Sequence, residues 1–329
     1  MWLDFGRASR QIEAMNDPVL VLGAGGFIGR HMVNGLAASG FTVVAGMRRP
    51  RGLPPNVGHR QVDAGDKASL AAALEGMGAV VNCVASRPEE MLAATRVLAE
   101  VAGQRRVVHL SSMSVYGNAT GVVDEGSALT PVGDYGESKA ESERVFLAHA
   151  KAGGEVIMLR PGCVHGPGSE SWTARPARLL RAGRLGDLGA GGDGVCNLTA
   201  VTDLVTATAA ALRLPEARGQ AYNISDPAPR DWNTYFVSLA KAIGATPVTR
   251  IGDKRLKIEK LAAYPLKVAE IIGRKARLRL PDPVPPSLLR TFRQDITLDH
   301  RRADAELGFE RMPPEKALAA AAMWFTSAA

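Results

Sequence analysis

The chain has 329 residues, of which 46% are hydrophobic and 22% charged, a composition ordinary for a globular protein with a large core. Its three cysteines match neither a disulfide framework nor a zinc site, and no apolar run approaches the roughly 18 residues of a membrane-spanning helix. Residues 1–15 lack the long apolar run of a signal peptide, so we expect a cytoplasmic protein. The net charge of +7 arises in one segment, residues 254–279, with nine basic and two acidic residues. The rest of the chain is neutral, which argues against nucleic acid as a partner.

Short apolar strands alternate with helices through the first half of the chain. The sequence predicts strands at 18–22, 42–45, 79–84, 106–110 and 156–159. It predicts helices at 30–39, 69–74, 88–102 and 137–150. This alternation is typical of a parallel sheet with helices on both faces. We therefore expect an α/β fold with a doubly wound Rossmann sheet over residues 17–165.

In the second half the pattern becomes irregular. Residues 166–194 are rich in glycine and arginine and predict loops and short helices. A helical period returns at 201–212, and 221–224 is a further strand. We predict that the chain re-enters the sheet at about 195–225. Residues 166–194 and 226–329 would then form a smaller, mostly helical substrate-binding domain.

The first strand ends in a glycine-rich turn with the sequence G-A-G-G-F-I-G. Gly23, Gly26 and Gly29 lie between the predicted strand and helix. Glycine allows a tight turn and a close approach of the backbone to a pyrophosphate, while the helix N-terminus offers free N–H groups. Phe27 and Ile28 lie within the motif and would pack the helix on the sheet. These five residues form the predicted dinucleotide site, and a turn without a ligand is the alternative.

The end of the second strand, about 20 residues further on, indicates which cofactor binds. An acidic residue there would bond the ribose 2′-hydroxyl of NAD, but no Asp or Glu occurs between Phe41 and Gln61. Arg48 and Arg49 occupy this position and suit a 2′-phosphate through charge-assisted hydrogen bonds. The sequence therefore favours NADP, and NAD remains possible if the arginines only stack on the adenine. Asp63 is a candidate acceptor for the adenine amino group.

Tyr135 and Lys139 lie four residues apart at the start of a predicted helix, and therefore on one face. A tyrosine with a pKa near 10 is a poor base at neutral pH, whereas an ammonium group one turn away favours the phenolate. The same lysine can hold the nicotinamide ribose. The strand at 106–110 ends in serines at the carboxyl edge of the sheet, where a hydroxyl can hydrogen-bond a substrate oxygen. Ser111 and Ser114 are alternatively loop caps.

Taken together, these motifs resemble the extended short-chain dehydrogenases/reductases, the NAD-dependent epimerase/dehydratase superfamily. Within that superfamily, the motifs most resemble those of the branch of 3β-hydroxysteroid dehydrogenases and dihydroflavonol reductases. The motifs lie at 23–29, 111–117, 135–139, 159–168, 201–204, 222–224 and 305–309. The resemblance implies that Ser112 polarises the substrate oxygen, that Tyr135 is the acid/base, and that Lys139 orients the ribose and lowers the tyrosine pKa. It also implies that Pro161 to Val164 line the nicotinamide and that the protein is a homodimer.

Three departures from that family bear on the substrate. Met113 and Ser114 stand where many 4,6-dehydratases have Asp-Glu. Cys163 replaces an asparagine near the diphosphate, and Cys196-Asn197 replaces Arg-Asp. We therefore predict an NAD(P)-dependent oxidoreductase that transfers hydride between the nicotinamide and a secondary alcohol or ketone. A sugar-nucleotide epimerase is the alternative, and a non-catalytic NADP sensor is a third interpretation.

The basic segment 254–279 carries apolar residues at helical spacing, with lysines between them. They are Leu261, Tyr264, Val268, Ile271 and Ile272. We predict a helix that packs within the substrate-binding domain. The alternatives are a lid over an apolar substrate and a basic amphipathic surface that contacts a membrane.

Overall fold

A seven-stranded parallel sheet forms the centre of the protein in the computed structural model. The structure describes residues 17–327 except 50–51, 56, 216–217, 253, 256–257, 260, 262–283 and 285. In spatial order the strands are Gln220–Ile224 (β11), Glu155–Pro161 (β7), Arg106–Leu110 (β5), Ala79–Asn82 (β4), Val19–Leu22 (β1), Val43–Met47 (β2) and Gly58–Gln61 (β3). This doubly wound Rossmann arrangement confirms the predicted fold class.

Helices cover both faces of this sheet because alternate strand residues are apolar on each side. Val19 and Val21 face one cluster, to which α1 (Phe27–Ala38) and α6 (Val201–Arg213) contribute their buried faces. Leu20 and Leu22 face the opposite cluster. There the covering helices are α2 (Lys67–Leu74), α3 (Pro88–Val101) and α4 (Gly133–Lys151).

A further hydrophobic cluster lies outside the sheet and centres on aromatic residues, among them Trp232, Phe236 and Phe292. Its helical elements are a π-helical turn at Glu170–Ala174, α5 (Arg175–Arg181), a 3₁₀ turn at Gly189–Gly192, α7 (Trp232–Ala242), α8 (Pro286–Thr291) and α10 (Pro314–Ser327). By contrast, α9 (Arg301–Leu307) packs back on β11 and α6.

Three pairs of very short strands connect this second part to the sheet. The pairs are β8 (Cys163–His165) with β10 (Leu198–Ala200), β9 (Val195–Cys196) with β12 (Arg230–Asp231), and β6 (Gly121–Val123) with β13 (Ile296–Leu298). Strands of two or three residues leave no periodic pattern, so the sequence did not predict them.

The predicted elements of the first half are confirmed, with shifted ends. The most consequential shift is in α4, which begins at Gly133 instead of residue 137 and so includes Tyr135 in its first turn. The strand β3 ends at Gln61, and Asp63 lies in the turn that follows, where its Oδ1 accepts from the Gly65 N–H at 3.0 Å.

Most of the basic segment, residues 262–279, lies outside the described residues, as do four of its five apolar positions. Of those five apolar residues, the structure describes Leu261, which is 79% exposed. Within the described part of the chain, no helix has both the length and the apolar character to cross a bilayer.

Candidate active site

The glycine turn between β1 and α1 brings backbone against backbone. Gly23 has a φ of +74°, and a Cβ there would lie 2.7 Å from the carbonyl oxygen of Cys83. A Cβ on Gly29 would lie 2.2 Å from the carbonyl oxygen of Gly23, whose oxygen also accepts from the Gly26 N–H at 3.0 Å. Both positions therefore exclude a side chain, which keeps the turn narrow.

The N-terminus of α1 is free to hold an anion. Within the described residues, no side chain caps this helix and its first turn contains no acidic residue. Its unpaired N–H groups and partial positive charge thus face the edge of the sheet where a pyrophosphate would lie. Phe27 and Ile28 are partly buried against the sheet, as predicted. This cradle fits a dinucleotide.

The helix α1 also contacts the loop that follows β8, a contact the sequence did not predict. The Nε2 atom of His31 lies 2.7 Å from the carbonyl oxygen of Pro167. The ring of Phe27 packs edge-on against His31, and a Cβ on Gly168 would meet Phe27 at 3.4 Å. The helix α1 is therefore joined to the segment that leads into the second cluster.

Arg48 and Arg49 follow the last residue of β2 and are exposed. They lie at the edge of the glycine turn, because the Gly23 N–H donates to the carbonyl of Gly46 at 3.1 Å. The pKa of Glu90 is lowered, chiefly by its hydrogen bond to Arg87 and to a lesser degree by the charge of Arg48. Asp63 is exposed in the turn that follows the neighbouring strand β3.

The three predicted catalytic side chains meet at the carboxyl end of β5. Ser112 precedes a 3₁₀ turn, Met113–Tyr116, and its Oγ accepts from the Ser114 N–H at 3.2 Å. Tyr135 approaches from the first turn of α4 and lies close enough to Ser112 for the serine hydroxyl to act on the tyrosine pKa. Lys139 is only 5% exposed, donates from Nζ to the carbonyl of Leu110 at 2.7 Å, and lies 5.9 Å from the centroid of the Tyr135 ring.

The pKa of Tyr135 differs from the lowering that the sequence predicts. The pKa of Tyr135 is raised, because desolvation outweighs the opposing hydrogen bond with Ser112. As the residue is 48% exposed overall, water limits the increase. Lys139 is not among the causes that shift the pKa of Tyr135, so the expected lowering is not found. Burial lowers the pKa of Lys139 itself to about 8. Tyr135 is therefore protonated at neutral pH and is set up to act as an acid.

A buried polar network lies directly beneath these residues. Arg160 on β7 donates to Glu143 on α4 from two nitrogens, at 2.9 and 2.6 Å. Ser111 donates to the same carboxylate, and Arg160 also donates to the Tyr116 hydroxyl at 2.8 Å. That hydroxyl donates to the side-chain oxygen of Asn223 on β11 at 2.7 Å.

The sequence analysis missed this network, although one signal was present. Tyr135, Lys139 and Glu143 are spaced by four residues and so share a helix face, which placed an acid next to the lysine. The alternative that Ser111 and Ser114 are loop caps is not found. Ser112 caps the 3₁₀ turn, Ser111 belongs to the network, and the buried Ser114 hydroxyl has no hydrogen-bond partner among the described residues.

Two buried cysteines lie in the hydrophobic cluster near Tyr135. Cys163 is buried and close enough to act electrostatically on Tyr135, and Cys196 is a further buried neighbour. Burial raises the pKa of both thiols, so they are neutral. Pro161 ends β7, and Val164 turns its side chain toward the core of the sheet.

Two further buried polar residues lie in this region. The side chain of one is hydrogen-bonded, and the ring of the other is uncharged. The amide of Asn197 donates to the carbonyl of Ile296 at 2.7 Å and accepts from the Leu298 N–H at 2.9 Å, so it supports β13. Burial lowers the pKa of His165 to about 4 and keeps the ring neutral. The thiols of Cys163 and Cys196 and the ring of His165 are therefore uncharged, and Arg230 is a charged neighbour of Cys196 and His165.

Comparison with known proteins places these features in a family context. The sequence model of the NAD dependent epimerase/dehydratase family matches residues 19–225. A 2-alkyl-3-oxoalkanoate reductase from Stenotrophomonas maltophilia is 29% identical over 256 residues, or 70% of this chain and 77% of that protein. A UDP-glucose 4-epimerase from Vibrio cholerae is 28% identical over 236 residues, or 64% and 71% of the two chains.

Solved structures share the fold over nearly the whole chain. MoeE5 in complex with UDP-glucuronic acid and NAD superposes with a TM-score of 0.70 at 29% identity, covering 95% of this chain and 100% of that one. The UDP-glucose 4-epimerase from Thermotoga maritima, with UDP-glucose, gives 0.72 at 19% identity and covers 94% and 99%. At that identity the second structure shows the fold alone.

Proposed function

Because the chain belongs to the NAD dependent epimerase/dehydratase family and is an enzyme of the extended short-chain dehydrogenase/reductase type, we propose that it is a nicotinamide-dependent oxidoreductase acting on a secondary alcohol or ketone. The observation that carries the proposal is the meeting of Ser112, Tyr135 and Lys139 at the carboxyl edge of the sheet, beside the glycine cradle.

The side chains divide the reaction into three tasks. When bound, the nicotinamide supplies a hydride to the ketone carbon or accepts one from the alcohol. Ser112 donates a hydrogen bond to the carbonyl oxygen as negative charge develops there. Tyr135 transfers its phenolic proton to that oxygen, which completes the alcohol. The resulting phenolate is stabilised by the Lys139 ammonium and regains a proton from solvent, to which the tyrosine is half open.

The raised pKa of Tyr135 favours the reductive direction at neutral pH. A protonated phenol is the form that can donate to a forming alkoxide, whereas oxidation of an alcohol requires the phenolate. The lowered pKa of Lys139, about 8, still leaves the ammonium predominant at neutral pH. The two groups thus hold the charges that ketone reduction needs.

The proposed cofactor is NADP, with the 2′-phosphate held by Arg48 and Arg49. Both side chains are exposed at the edge of the glycine turn, where their charge is available to a phosphate. Solved neighbours such as MoeE5 bind NAD. Calorimetric titration of the protein with each cofactor tests this choice, and tighter binding of NAD would overturn it.

The proposed substrate is a ketone with apolar substituents, held by the predicted substrate-binding domain of residues 166–194 and 226–329. Support comes from the apolar cluster that contains the buried Cys163 and Cys196 and against which the partly buried Met113, the neighbour of Ser112, packs. The resemblance to a 2-alkyl-3-oxoalkanoate reductase indicates a suitable probe. Protein, NADPH and a 2-alkyl-3-oxoalkanoate should give oxidation of NADPH, and its absence with a broad panel of ketones would contradict the proposal.

A sugar-nucleotide epimerase is the second candidate, favoured by the similarity to MoeE5 with UDP-glucuronic acid and to the Vibrio epimerase. An epimerase oxidises and re-reduces its substrate within one turnover, so the nicotinamide absorbance shows no net change. Incubation with UDP-glucose, followed by chromatographic separation of the C4 epimers, distinguishes it from a reductase.

We further propose a cytoplasmic homodimer. Free, buried thiols at Cys83, Cys163 and Cys196 agree with a reducing compartment. The helices α3 and α4 lie side by side, joined by a hydrogen bond from Thr95 to Ser142 at 3.2 Å, and offer an outer surface to a second copy. Light scattering after gel filtration measures the mass, and a monomer at micromolar concentration would contradict the dimer.

A further inference from the structure

Two full charges lie buried beneath the proposed active site. Glu143 is 0% exposed and Arg160 is 5% exposed. Burial alone would lower the pKa of Arg160, but the hydrogen bonds and charge of Glu143 reverse this and raise it. Removing both charges from water is expensive, and well-packed apolar residues commonly serve stability equally well. The pair therefore calls for an explanation other than stability.

The carboxylate of Glu143 is tied to the loop that carries Ser112. The hydroxyl of Ser111 donates to Glu143 Oε1, and the Ser111 N–H donates to the carbonyl of Leu159 at 2.8 Å. Ser111 is thus held by its side chain to α4 and by its main chain to β7. Because Ser112 is the next residue, these two attachments of Ser111 also fix the orientation of the Ser112 backbone.

The same carboxylate lies one helical turn beyond Lys139. Burial lowers the pKa of Lys139, and the nearby thiol of Cys83 and the carboxylate of Glu143 oppose that effect. The groups that face the ammonium are Tyr135 and Glu143 on α4, Cys83 after β4, and His109 on β5. Burial raises the pKa of Cys83 to about 12 and lowers that of His109, so both are neutral. Glu143 supplies the negative charge in this group.

We propose that Glu143 is a positioning residue for the hydride-transfer site: held in place by Arg160, it orients Ser112 through Ser111 and keeps Lys139 as an ammonium ion. This inference rests on the proposed function, since it assigns a task to residues behind the same site. Arg160 completes the arrangement, because its donation to Tyr116 connects the carboxylate to the 3₁₀ turn that begins after Ser112.

A second ion pair, which joins β5 to β7, provides a control away from the site. Arg106 on β5 and Glu155 on β7 are direct register partners and bond at 2.8 Å. They lie at the opposite end of the strands from the catalytic serine and are partly exposed. Loss of this pair weakens the strand contact without touching the site.

The experiment compares Glu143→Gln, Ser111→Ala and Glu155→Gln for kcat, KM and the pH profile of ketone reduction. We expect kcat of Glu143→Gln and Ser111→Ala to fall roughly ten- to a hundredfold with KM little changed, because misplacement of the serine acts on the reacting geometry. In Glu143→Gln the alkaline limb should also move to lower pH by about one unit, since the opposing charge no longer supports the Lys139 ammonium. Glu155→Gln should retain the wild-type kcat and the wild-type pH at which the rate falls on the alkaline side.

The outcomes separate positioning from mere stability. Equal kcat losses in all three variants at equal folded fraction, with no movement of the limb, would overturn the proposal. If Glu143→Gln does not fold, Ser111→Ala decides by its kcat, because that change leaves the Arg160–Glu143 pair intact. If the wild-type protein transfers no hydride, the proposed function fails. The pH dependence of NADP affinity then decides whether Glu143 supports the Lys139 ammonium. A loss of affinity at lower pH in Glu143→Gln than in the wild type supports this role, and the same pH dependence in both proteins refutes it.

Discussion

The glycine cradle provides the sharpest test of the cofactor site, through the substitution Gly29→Ala. The added Cβ would lie 2.2 Å from the carbonyl oxygen of Gly23 and 2.8 Å from the Cα of Ala24. An ordinary contact begins at about 3.4 Å, so the start of α1 must move by about 1.2 Å. Both obstacles are backbone atoms, which cannot rotate away. We expect a loss of about 3 kcal/mol in the free energy of unfolding, at the upper part of the range for overpacking.

The neighbouring glycine supplies the control for this prediction. A Cβ on Gly25, in the same turn, meets nothing within 4 Å, so Gly25→Ala should change the stability by less than about 1 kcal/mol. The displaced helix N-terminus of Gly29→Ala should also weaken NADP binding at least tenfold, which corresponds to about 1.4 kcal/mol. Urea denaturation and calorimetric titration measure the two effects. Near-wild-type stability and affinity in Gly29→Ala would refute the close-approach argument.

Three further predictions concern the proposed chemistry. Tyr135→Phe should lower the rate of NADPH oxidation roughly 10²- to 10⁴-fold with little change in NADP affinity, and a smaller loss would exclude Tyr135 as the proton donor. The wild-type rate of ketone reduction should be level near neutral pH and fall above pH about 8, where Lys139 loses its proton, so a rate that rises above that pH contradicts the assignment. Arg48→Glu should reduce NADP affinity tenfold or more but leave NAD affinity nearly unchanged, whereas Lys316→Glu on α10 should alter neither.

Much of the fold follows from short-range patterns. The alternation of apolar strands with helices, and the glycine turn after the first strand, were sufficient to predict the central sheet. The register of Tyr135 and Lys139 was sufficient to place both on one helix face beside the serines. These features could be predicted because each depends on residues close together in sequence.

The parts that could not be predicted depend on distant pairs. Glu143 and Arg160 are separated by 16 intervening residues, and Tyr116 and Asn223 by more than a hundred, so no local pattern joins them. The pKa of Tyr135 was misjudged for a similar reason. The sequence shows that Lys139 is nearby, but not that Lys139 is buried and donates to Leu110.

The position of Asn223 on β11 determines which parts of this chain evolution or an engineer can exchange. Asn223 accepts from Tyr116 and donates to the carbonyls of Val123 and Asp299 at 3.3 and 3.2 Å, so it unites stretches far apart in sequence. A fragment that stops at residue 165 would lack this partner and leave the Tyr116 hydroxyl buried without an acceptor. The residues around the proposed active site therefore come from several segments that are far apart in the sequence. Chimeric enzymes with altered substrates should be made by grafting between those stretches, never by cutting after the first half.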